Sequence, residues 1–298
     1  MAEPLVYILI LNYRAWRDTV ACLGALEHLE YPNYRVLVLD NASDNDSVAQ
    51  IRTAFPGVEV LELERNLGFA GGNNVGIRRA LAEGAAYVWL LNPDTLPDTQ
   101  ALAAMVEQAQ QDTQIGAVGS VLYEMDRPEQ VQAWGGGEVV WPWGLIRLLN
   151  QECQAARLNY ISGASLLLRR AALEQVGLLD EGFFMYGEDA DLGLRLLKSG
   201  FKLAVAAESR VWHRGGTSWQ GSSLDADEQF AAYNTRLLRK HAPWPWLAVL
   251  GYGSFWLAEY ALRRRWDKIG ALWRGIGRGW QLPIAPGADG LSDRATPS

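Results

Sequence analysis

The chain has 298 residues and a net charge of −7. About half of its residues are hydrophobic and a fifth are charged, which is the composition of a globular protein and excludes a disordered one. The negative net charge argues against a nucleic-acid partner. The two cysteines, Cys22 and Cys153, lie far apart, which excludes a disulfide scaffold and a cysteine-based zinc site.

The first 122 residues alternate between strand-like and helix-like patterns. Alternation with short links predicts parallel strands joined by right-handed crossovers, with a ligand site at the carboxyl ends of the strands. This half is therefore expected to bind a nucleotide. Strands are predicted at 5–11, 34–39, 58–63, 86–91 and 115–122, and helices at 18–29, 47–55, 73–82 and 98–110.

The second half is less regular. Residues 125–159 are rich in Gly, Trp and Gln and are predicted to form an irregular segment or lid. Further predictions are a strand at 160–168, a helix at 188–199, a strand from 201 that leads to 211–213, and a frayed tail at 287–298. We expect one α/β unit over 1–224, with halves 1–122 and 123–224, followed by a helical segment at 225–298.

Two clusters of polar or glycine residues follow the predicted strands of the first half. Asp40 ends the second strand, where a carboxylate can accept a hydrogen bond from a base or a ribose; the alternative is a turn that caps the next helix. Gly68, Gly71 and Gly72 precede a predicted helix. They would let the backbone and the helix N-terminus approach an anionic ligand, unless they only form a tight turn. Their spacing matches neither the dinucleotide fingerprint nor the P-loop.

Carboxylates and one histidine form the remaining candidate chemistry. Asp94 ends the fourth strand and is an oxygen ligand suited to Mg²⁺ or Mn²⁺, unless it only starts a helix. Glu188 and Asp189 open a predicted helix, where crowding raises carboxyl pKa values, as a general base requires; the alternative is simple helix capping. Asp191 has the i,i+4 spacing for a structural pair with Arg195. His213 lies at a strand end beside a glycine turn and suits Mn²⁺, although a lone histidine is more often structural.

Taken in this order, the clusters resemble glycosyltransferase family two, the inverting enzymes with the GT-A fold. The run RNLGFAGGNNVGI followed by LLNPDT resembles in particular the bacterial rhamnosyltransferase branch. The resemblance covers about residues 4–220. It implies an α/β fold with a Rossmann-like, mostly parallel central sheet and helices on both faces, to which this chain adds a C-terminal helical segment.

The resemblance also implies roles for individual residues. Asp189 would be the general base, and Asp94 and His213 would bind Mn²⁺ or Mg²⁺. The family's metal motif has an aspartate where this chain has the uncharged Asn92, which would weaken its affinity for the metal. Gly163, Ala164 and Glu188 would face the acceptor. The donor, a nucleotide sugar, would be bound by Asn12, Asp40, Asn66, Gly68, Gly71, Gly72, Asn73, Asn92 and Asp94.

The expected reaction is the transfer of a sugar to a hydroxyl of a glycan or lipid-linked acceptor. A carboxylate takes the proton of the acceptor hydroxyl, while a cation and a helix N-terminus stabilise the leaving diphosphate. The rhamnosyltransferase resemblance implies dTDP-L-rhamnose as the donor. The methyl group of a 6-deoxy sugar favours an apolar wall, and the motifs contain candidates for it: Phe69, Phe183, Phe184, Met185 and Trp212.

Three other functions remain open on the sequence. The chain could be a non-catalytic carbohydrate- or nucleotide-binding module on the same fold, because fold does not fix function. It could be a transferase that uses a UDP-sugar. A nucleotidyltransferase is disfavoured because Asn12-Tyr13-Arg14, after the first strand, contains none of the glycines expected of that class.

The C-terminal segment combines tryptophan with arginine. Residues 244–262 are nearly apolar, but Pro245, Gly251, Gly253 and Glu259 interrupt a stretch that is already short for a membrane-spanning helix. Three arginines follow, and the pattern at 244–280 predicts an interfacial helix on anionic lipid. The alternatives are helices packed on the catalytic domain and a homo-oligomer interface. With no signal peptide evident, we expect a cytoplasmic protein at the inner face of the membrane.

Overall fold

The computed structural model describes residues 3–141, 143–215 and 223–284. Within these ranges, nine strands form one mixed sheet and three form a smaller sheet. The strands are β1 (Val6–Asn12), β2 (Tyr34–Asp40), β3 (Glu59–Glu62), β4 (Tyr87–Leu91), β5 (Thr95–Pro97), β6 (Ile115–Glu124), β7 (Arg127–Trp134), β8 (Gly136–Val140), β9 (Leu145–Leu148), β10 (Tyr160–Ile161), β11 (Ser165–Arg169) and β12 (Lys202–His213). The helices are α1 (Trp16–Leu26), α2 (Ser47–Ala54), α3 (Gly68–Ala82), α4 (Ala101–Gln110), α5 (Arg170–Val176), α6 (Glu188–Lys198), α7 (Ser223–His241), α8 (Pro245–Leu262) and α9 (Asp267–Gln281).

Strand β1 shows why the sheet is covered on both faces. Successive side chains of a strand point to opposite faces. Ile8 and Ile10 pack in a core with residues of α1, α2 and α4, whereas Tyr7 and Leu9 pack in a second core with residues of α3, α5 and α6. A strand buried on both faces needs a continuous apolar run, as this one has. The predicted α/β fold with helices on both faces is confirmed.

Strand direction changes across the large sheet, whose order is β3-β2-β1-β4-β11-β6-β12-β5, with β7 also paired to β6. The strands β3-β2-β1-β4 are parallel, as expected, and β12 is parallel to β6. Strand β11 is antiparallel to both of its neighbours, β4 and β6. The continuous strand predicted at 160–168 is in fact interrupted at residues 162–164, so that β10 joins the small sheet and β11 joins the large one.

The prediction of an irregular segment at 125–159 is wrong in detail. The segment contains β7, β8, β9 and a short 3-10 helix at Glu152–Arg157. Glycines allow β8 to lie close to β10, because a Cβ on Gly136 would be 2.1 Å from the carbonyl oxygen of Tyr160. Strand β5 and helix α5 were not predicted, because they have only three and seven residues.

The three C-terminal helices pack on one another and on the catalytic domain. Helix α9 lies close against α7 because it presents glycines there; a Cβ on Gly275 or Gly279 would be 2.4 or 2.2 Å from a backbone oxygen of α7. One face of α8, which includes Val249 and Tyr252, is buried in the same cluster. The predicted tail at 287–298 lies outside the described residues.

Candidate active site

The predicted metal ligands meet where β4 ends. Strand β5 pairs with the end of β12, which sets Thr95 opposite His213. Asp94 immediately precedes β5, and its Oδ1 lies 3.5 Å from Nε2 of His213. Asp94 is only 4% exposed. The two side chains thus lie together as the hypothesis required, although their binding of a cation stays a prediction.

The chemistry of this pair fits a divalent cation. A carboxylate oxygen and an imidazole nitrogen are ligands that Mn²⁺ accepts. Among the described residues, no group of three or more His, Cys, Asp or Glu side chains could hold an ion. A cation here would therefore need other ligands, such as diphosphate oxygens, as is usual for cations in nucleotide sites. Asn92 Nδ2 also lies 3.5 Å from His213 Nε2.

The predicted base lies at the start of α6. The Oδ2 atom of Asp189 accepts a hydrogen bond from the backbone N–H of Gly163 at 3.1 Å, and Oδ1 accepts one from the N–H of Ala190 at 2.8 Å. Gly163 belongs to the interruption between β10 and β11. Because β11 is antiparallel, this interruption lies at the edge of the sheet where β4 ends. Gly163, predicted to face the acceptor, and Asp189, the predicted base, therefore contact each other directly.

Glu188 and Asp189 form a coupled pair of carboxyl groups. Burial raises the pKa of Asp189, and the two backbone N–H donors oppose that rise. Burial raises the pKa of Glu188 further, to well above its usual value, and the neighbouring charge of Asp189 adds to the effect. Burial therefore favours the protonated form of both groups, and more strongly that of Glu188.

Asp191 faces the opposite way. It is fully buried, and its carboxylate lies 2.8 Å from Arg195 Nε, as its sequence spacing predicted. It also lies 2.7 Å from Lys240 Nζ and 2.7 Å from His241 Nε2, both at the end of α7. The hydrogen bond from His241 and the charges of Arg195 and Lys240 hold the pKa of Asp191 well below its usual range, against the effect of burial. The structural role predicted for Asp191 is confirmed, and the residue ties α6 to the C-terminal helices.

The predicted nucleoside contacts lie at the ends of β1 and β2. Asn12 and Asp40 are both buried, and Asn12 Nδ2 donates to Asp40 Oδ1 at 2.6 Å. The second oxygen of Asp40 accepts from the N–H of Ser43 at 2.9 Å. Thr19 Oγ1 donates to Asn12 Oδ1 at 3.0 Å. These bonds fix the orientation of both side chains at the edge of the sheet, and their binding of the donor stays a prediction.

The glycine-rich segment forms the first turns of α3, five residues earlier than predicted. Gly68 has a left-handed backbone with φ of 72°, and a Cβ there would be 2.3 Å from the carbonyl oxygen of Phe184. A Cβ on Gly71 or Gly72 would be 2.8 or 2.5 Å from the side chains of Leu67 or Leu11. Helix packing therefore explains Gly71 and Gly72 without a ligand. Their predicted donor contact stays untested, as does that of Asn73, whose Nδ2 donates to the carbonyl oxygen of Phe69 at 3.0 Å.

The apolar wall predicted for the sugar is wrong at Phe183. That ring is fully buried in a core with Tyr233, and Arg236 lies over it at 4.2 Å. Phe69 remains a candidate, since a Cβ on Gly163 would lie 3.2 Å from the Phe69 ring and 3.8 Å from Asp189 Cβ. Both Phe69 and Phe183 occur within motifs, so the sequence alone did not show which of the two rings is buried in a core.

The sequence analysis missed two supporting residues. Asn41 is buried, its Oδ1 accepts from Leu67 N–H at 2.9 Å, and its Nδ2 donates to Asn66 Oδ1 at 2.9 Å. Its position beside Asp40 was the only sequence signal. Gln132 Oε1 lies 2.7 Å from His213 Nδ1. Nothing in the sequence marked Gln132, which lies in the segment that was predicted to be irregular.

Solved structures of glycosyltransferases share this fold. The chain superposes on a mannosyltransferase of Pyrobaculum calidifontis, solved with GDP-Man and Mn²⁺, with a TM-score of 0.63 and 16% identity over 94% of this chain and 88% of that one. It superposes on GalNAc-T7, solved with UDP, GalNAc and Mn²⁺, with a TM-score of 0.65 and 18% identity over 81% of this chain and 49% of that one. The fold is therefore that of the GT-A glycosyltransferases.

The sequence comparisons define the family. A family model described as Glycosyl transferase family 2 matches residues 7–177, and the chain belongs to that family. The chain is 28% identical to the N-acetylglucosaminyl-diphospho-decaprenol L-rhamnosyltransferase of Mycobacterium tuberculosis, over 77% of this chain and 83% of that one. It is also 28% identical to the galactofuranosyltransferase GlfT1 of Mycolicibacterium smegmatis, over 78% of this chain and 85% of that one. The protein is a glycosyltransferase.

Proposed function

We propose that this glycosyltransferase transfers a sugar, with inversion, from a metal-bound nucleotide donor to a hydroxyl of a glycan or lipid-linked acceptor. The observation that carries the proposal is the meeting at one edge of the sheet of Asp94 with His213, and of Asp189 with Gly163. One set supplies ligands for a cation and the other a carboxylate base. A non-catalytic module would not need both.

Each residue has one task in this reaction. Asp189 takes the proton of the acceptor hydroxyl, because a neutral hydroxyl is a poor nucleophile. The N–H of Gly163 holds the Asp189 carboxylate in place. Glu188 keeps its own proton throughout. Asp94 and His213 would hold the divalent cation, Mn²⁺ or Mg²⁺. That cation, when bound, neutralises the charge that develops on the leaving diphosphate.

The proposed donor is dTDP-L-rhamnose. The support is the sequence motif at 65–77 together with the 28%-identical relative that is named a rhamnosyltransferase. The relative named a galactofuranosyltransferase is equally identical and favours a galactofuranosyl donor as the second candidate, for which we propose a UDP-sugar. Direct comparison of the two donors decides between them.

We expect dTDP-L-rhamnose to bind more tightly and react faster than dTDP-glucose, UDP-glucose or UDP-galactofuranose. Each donor is tested by competition binding and by donor hydrolysis, with Mn²⁺ and with EDTA. An apolar wall discriminates only modestly against an added hydroxyl, so leakage to dTDP-glucose at about 10⁻² of the rate is expected. Faster turnover with either UDP-sugar would overturn the donor proposal and leave the fold and base unaffected. Equal activity in EDTA would overturn the metal role.

We also propose that the outer face of α8 contacts a membrane surface. The inner face of α8 packs on α7. The alternative of a packed C-terminal helix therefore accounts for the inner face only. Its outer face presents Trp246 and Leu250, which are 61% and 58% exposed, together with Leu247 and Leu257. Arg263, Arg264 and Arg265 follow the helix. On α9 and just before it, Trp266, Trp273 and Trp280 recur every seven residues and are all exposed.

This surface combines apolar area with positive charge on an otherwise acidic protein, which suits an anionic bilayer. None of the described helices has the length and hydropathy needed to span a membrane. Contact with the bilayer surface would place the active site near a lipid-linked acceptor. It would use the tryptophans as anchors and the arginines for lipid phosphates.

We expect the protein to co-sediment with anionic vesicles, and binding to fall as salt rises. Leu250→Asp should weaken binding, because it places a charge in the apolar face. Leu148→Asp is the matched control: Leu148 is also exposed, at 48%, but lies on β9. Equal effects of the two substitutions, or no binding by the unchanged protein, would refute the surface.

A further inference from the structure

Strand β7 departs from regular pairing with β6 at two places, and the first of them lies at Gln132. Leu122 pairs with Ala133, but the next residue, Tyr123, pairs with Val131. Gln132 is therefore the extra residue of a β-bulge. Bulges re-aim side chains and are over-represented beside active sites. Since Tyr123 pairs on its other side with Trp212, the bulge lies across the end of β6 from His213.

The contact between Gln132 and His213 determines where the imidazole carries its proton. Gln132 Oε1 is 2.7 Å from His213 Nδ1. An amide oxygen only accepts hydrogen bonds, so this 2.7 Å contact is a hydrogen bond when His213 carries its proton on Nδ1. Its Nε2 then has a free lone pair, and this is the atom that lies 3.5 Å from Asp94 Oδ1. Asn92 Nδ2, a donor, faces the same nitrogen and favours the same tautomer.

We propose that Gln132 is a positioning residue that holds His213 in its Nδ1-protonated form and directs Nε2 towards Asp94. A histidine that binds a metal through one nitrogen typically donates its other N–H to an oxygen, and this partner fixes the ring and raises its basicity. The inference rests on the metal role proposed above for Asp94 and His213. Gln132 acts through His213, and the bulge directs the Gln132 side chain towards the imidazole ring.

The tautomer can be measured without any metal. The chain has three histidines, His28, His213 and His241, so their ring nitrogens are readily assigned by long-range ¹⁵N–¹H correlation. In its neutral form, His213 is expected to be protonated on Nδ1. His241 is an internal reference of the opposite kind, because its Nε2 faces the Asp191 carboxylate at 2.7 Å. A His213 protonated on Nε2 in the unchanged protein would overturn the proposal.

Two substitutions separate the hydrogen bond from the size of the side chain. Gln132→Leu removes the acceptor and should shift His213 towards the Nε2-protonated form. Gln132→Glu keeps an acceptor and should retain the Nδ1-protonated form. Mn²⁺ affinity in the presence of dTDP or UDP, measured by the electron paramagnetic resonance of free Mn²⁺, should fall by about 10–100-fold in Gln132→Leu. It should be retained in Gln132→Glu.

His213→Ala separates the metal role of His213 from the positioning role of Gln132. If this substitution leaves Mn²⁺ affinity unchanged, the metal role of His213 is wrong and the role of Gln132 falls with it. If His213→Ala weakens Mn²⁺ binding but Gln132→Leu does not, the metal role stands and only the role of Gln132 is wrong. The tautomer of the unchanged protein decides the matter even if a variant fails to fold.

Discussion

Turnover is expected to fall by about 10²–10⁴-fold when Asp189 is replaced by asparagine. The amide cannot take the proton of the acceptor hydroxyl, whereas the donor contacts lie elsewhere and should persist. Asparagine also has one acceptor oxygen in place of two, so it loses one of the bonds from Gly163 and Ala190. That loss should cost about 0.5–1.5 kcal/mol of stability, which a melting curve would register. Turnover is compared with donor affinity measured on the same preparation.

Glu188→Gln is the matched control, because the glutamine amide resembles the protonated acid that Glu188 is expected to be. Its effect on turnover should be far smaller. Because burial raises the pKa of Asp189, the activity of the unchanged enzyme should fall on acidification with a midpoint above the ordinary value of about 3.9. If Glu188→Gln abolishes turnover and Asp189→Asn does not, the base is Glu188.

The largest loss of stability is expected from Asp191→Ala. The substitution would remove the carboxylate shared by Arg195, Lys240 and His241. Among the described residues, Lys240 would keep only Asp180, and Arg195 would keep only backbone carbonyl oxygens. Breaking a buried ion pair by removing one member costs about 3–5 kcal/mol. Urea unfolding would measure the change in the free energy of unfolding.

An exposed pair with the same sequence spacing provides the control. Arg170 and Glu174 on α5 are also four residues apart, with Nε and Oε1 at 2.7 Å, but both side chains are largely exposed. Glu174→Ala should cost less than about 1 kcal/mol, because water screens such pairs. Equal costs for Asp191→Ala and Glu174→Ala would show that the buried cluster contributes no special stability.

The same cluster gives stability a definite dependence on pH. Burial lowers the pKa of His241 in the folded state, so stability is lost as pH falls below the unfolded value of about 6.5. The pKa of Asp191 is also lowered, so its contribution is present above about 3.9 and is lost as pH falls further. Both shifts act in the same direction, and Asp191→Ala should remove the lower of the two steps.

The parts of the structure that the sequence predicted are those with strong local patterns. Strands β1, β2 and β4 are continuous apolar runs, and the polar residues that follow them mark the edge of the sheet. The resemblance pointed to the motifs of Asp94 and Asp189, and both lie at the expected edge of the sheet, while their roles stay predictions. The pairing of Asp191 with Arg195 followed from helical spacing alone.

The parts that the sequence did not predict depend on contacts between distant residues. No local pattern shows that β11 pairs antiparallel between β4 and β6, or that Phe183 is buried under Arg236 while Phe69 lies beside the base. The bulge at Gln132 exists only relative to β6, so a single-strand pattern cannot reveal it. Strands as short as β5 carry too few residues for any periodicity.

The position of β11 has a consequence for how substrates enter and leave. A strand from residues 123–224 is hydrogen-bonded on one side to β4 and on the other to β6, both from residues before 125. Residues 1–122 and 123–224, the halves predicted to bind donor and acceptor, therefore share a single sheet. A hinge motion that separated them would have to break the hydrogen bonds of β11, so substrate exchange is expected to depend on the loops and side chains at the edge of the sheet.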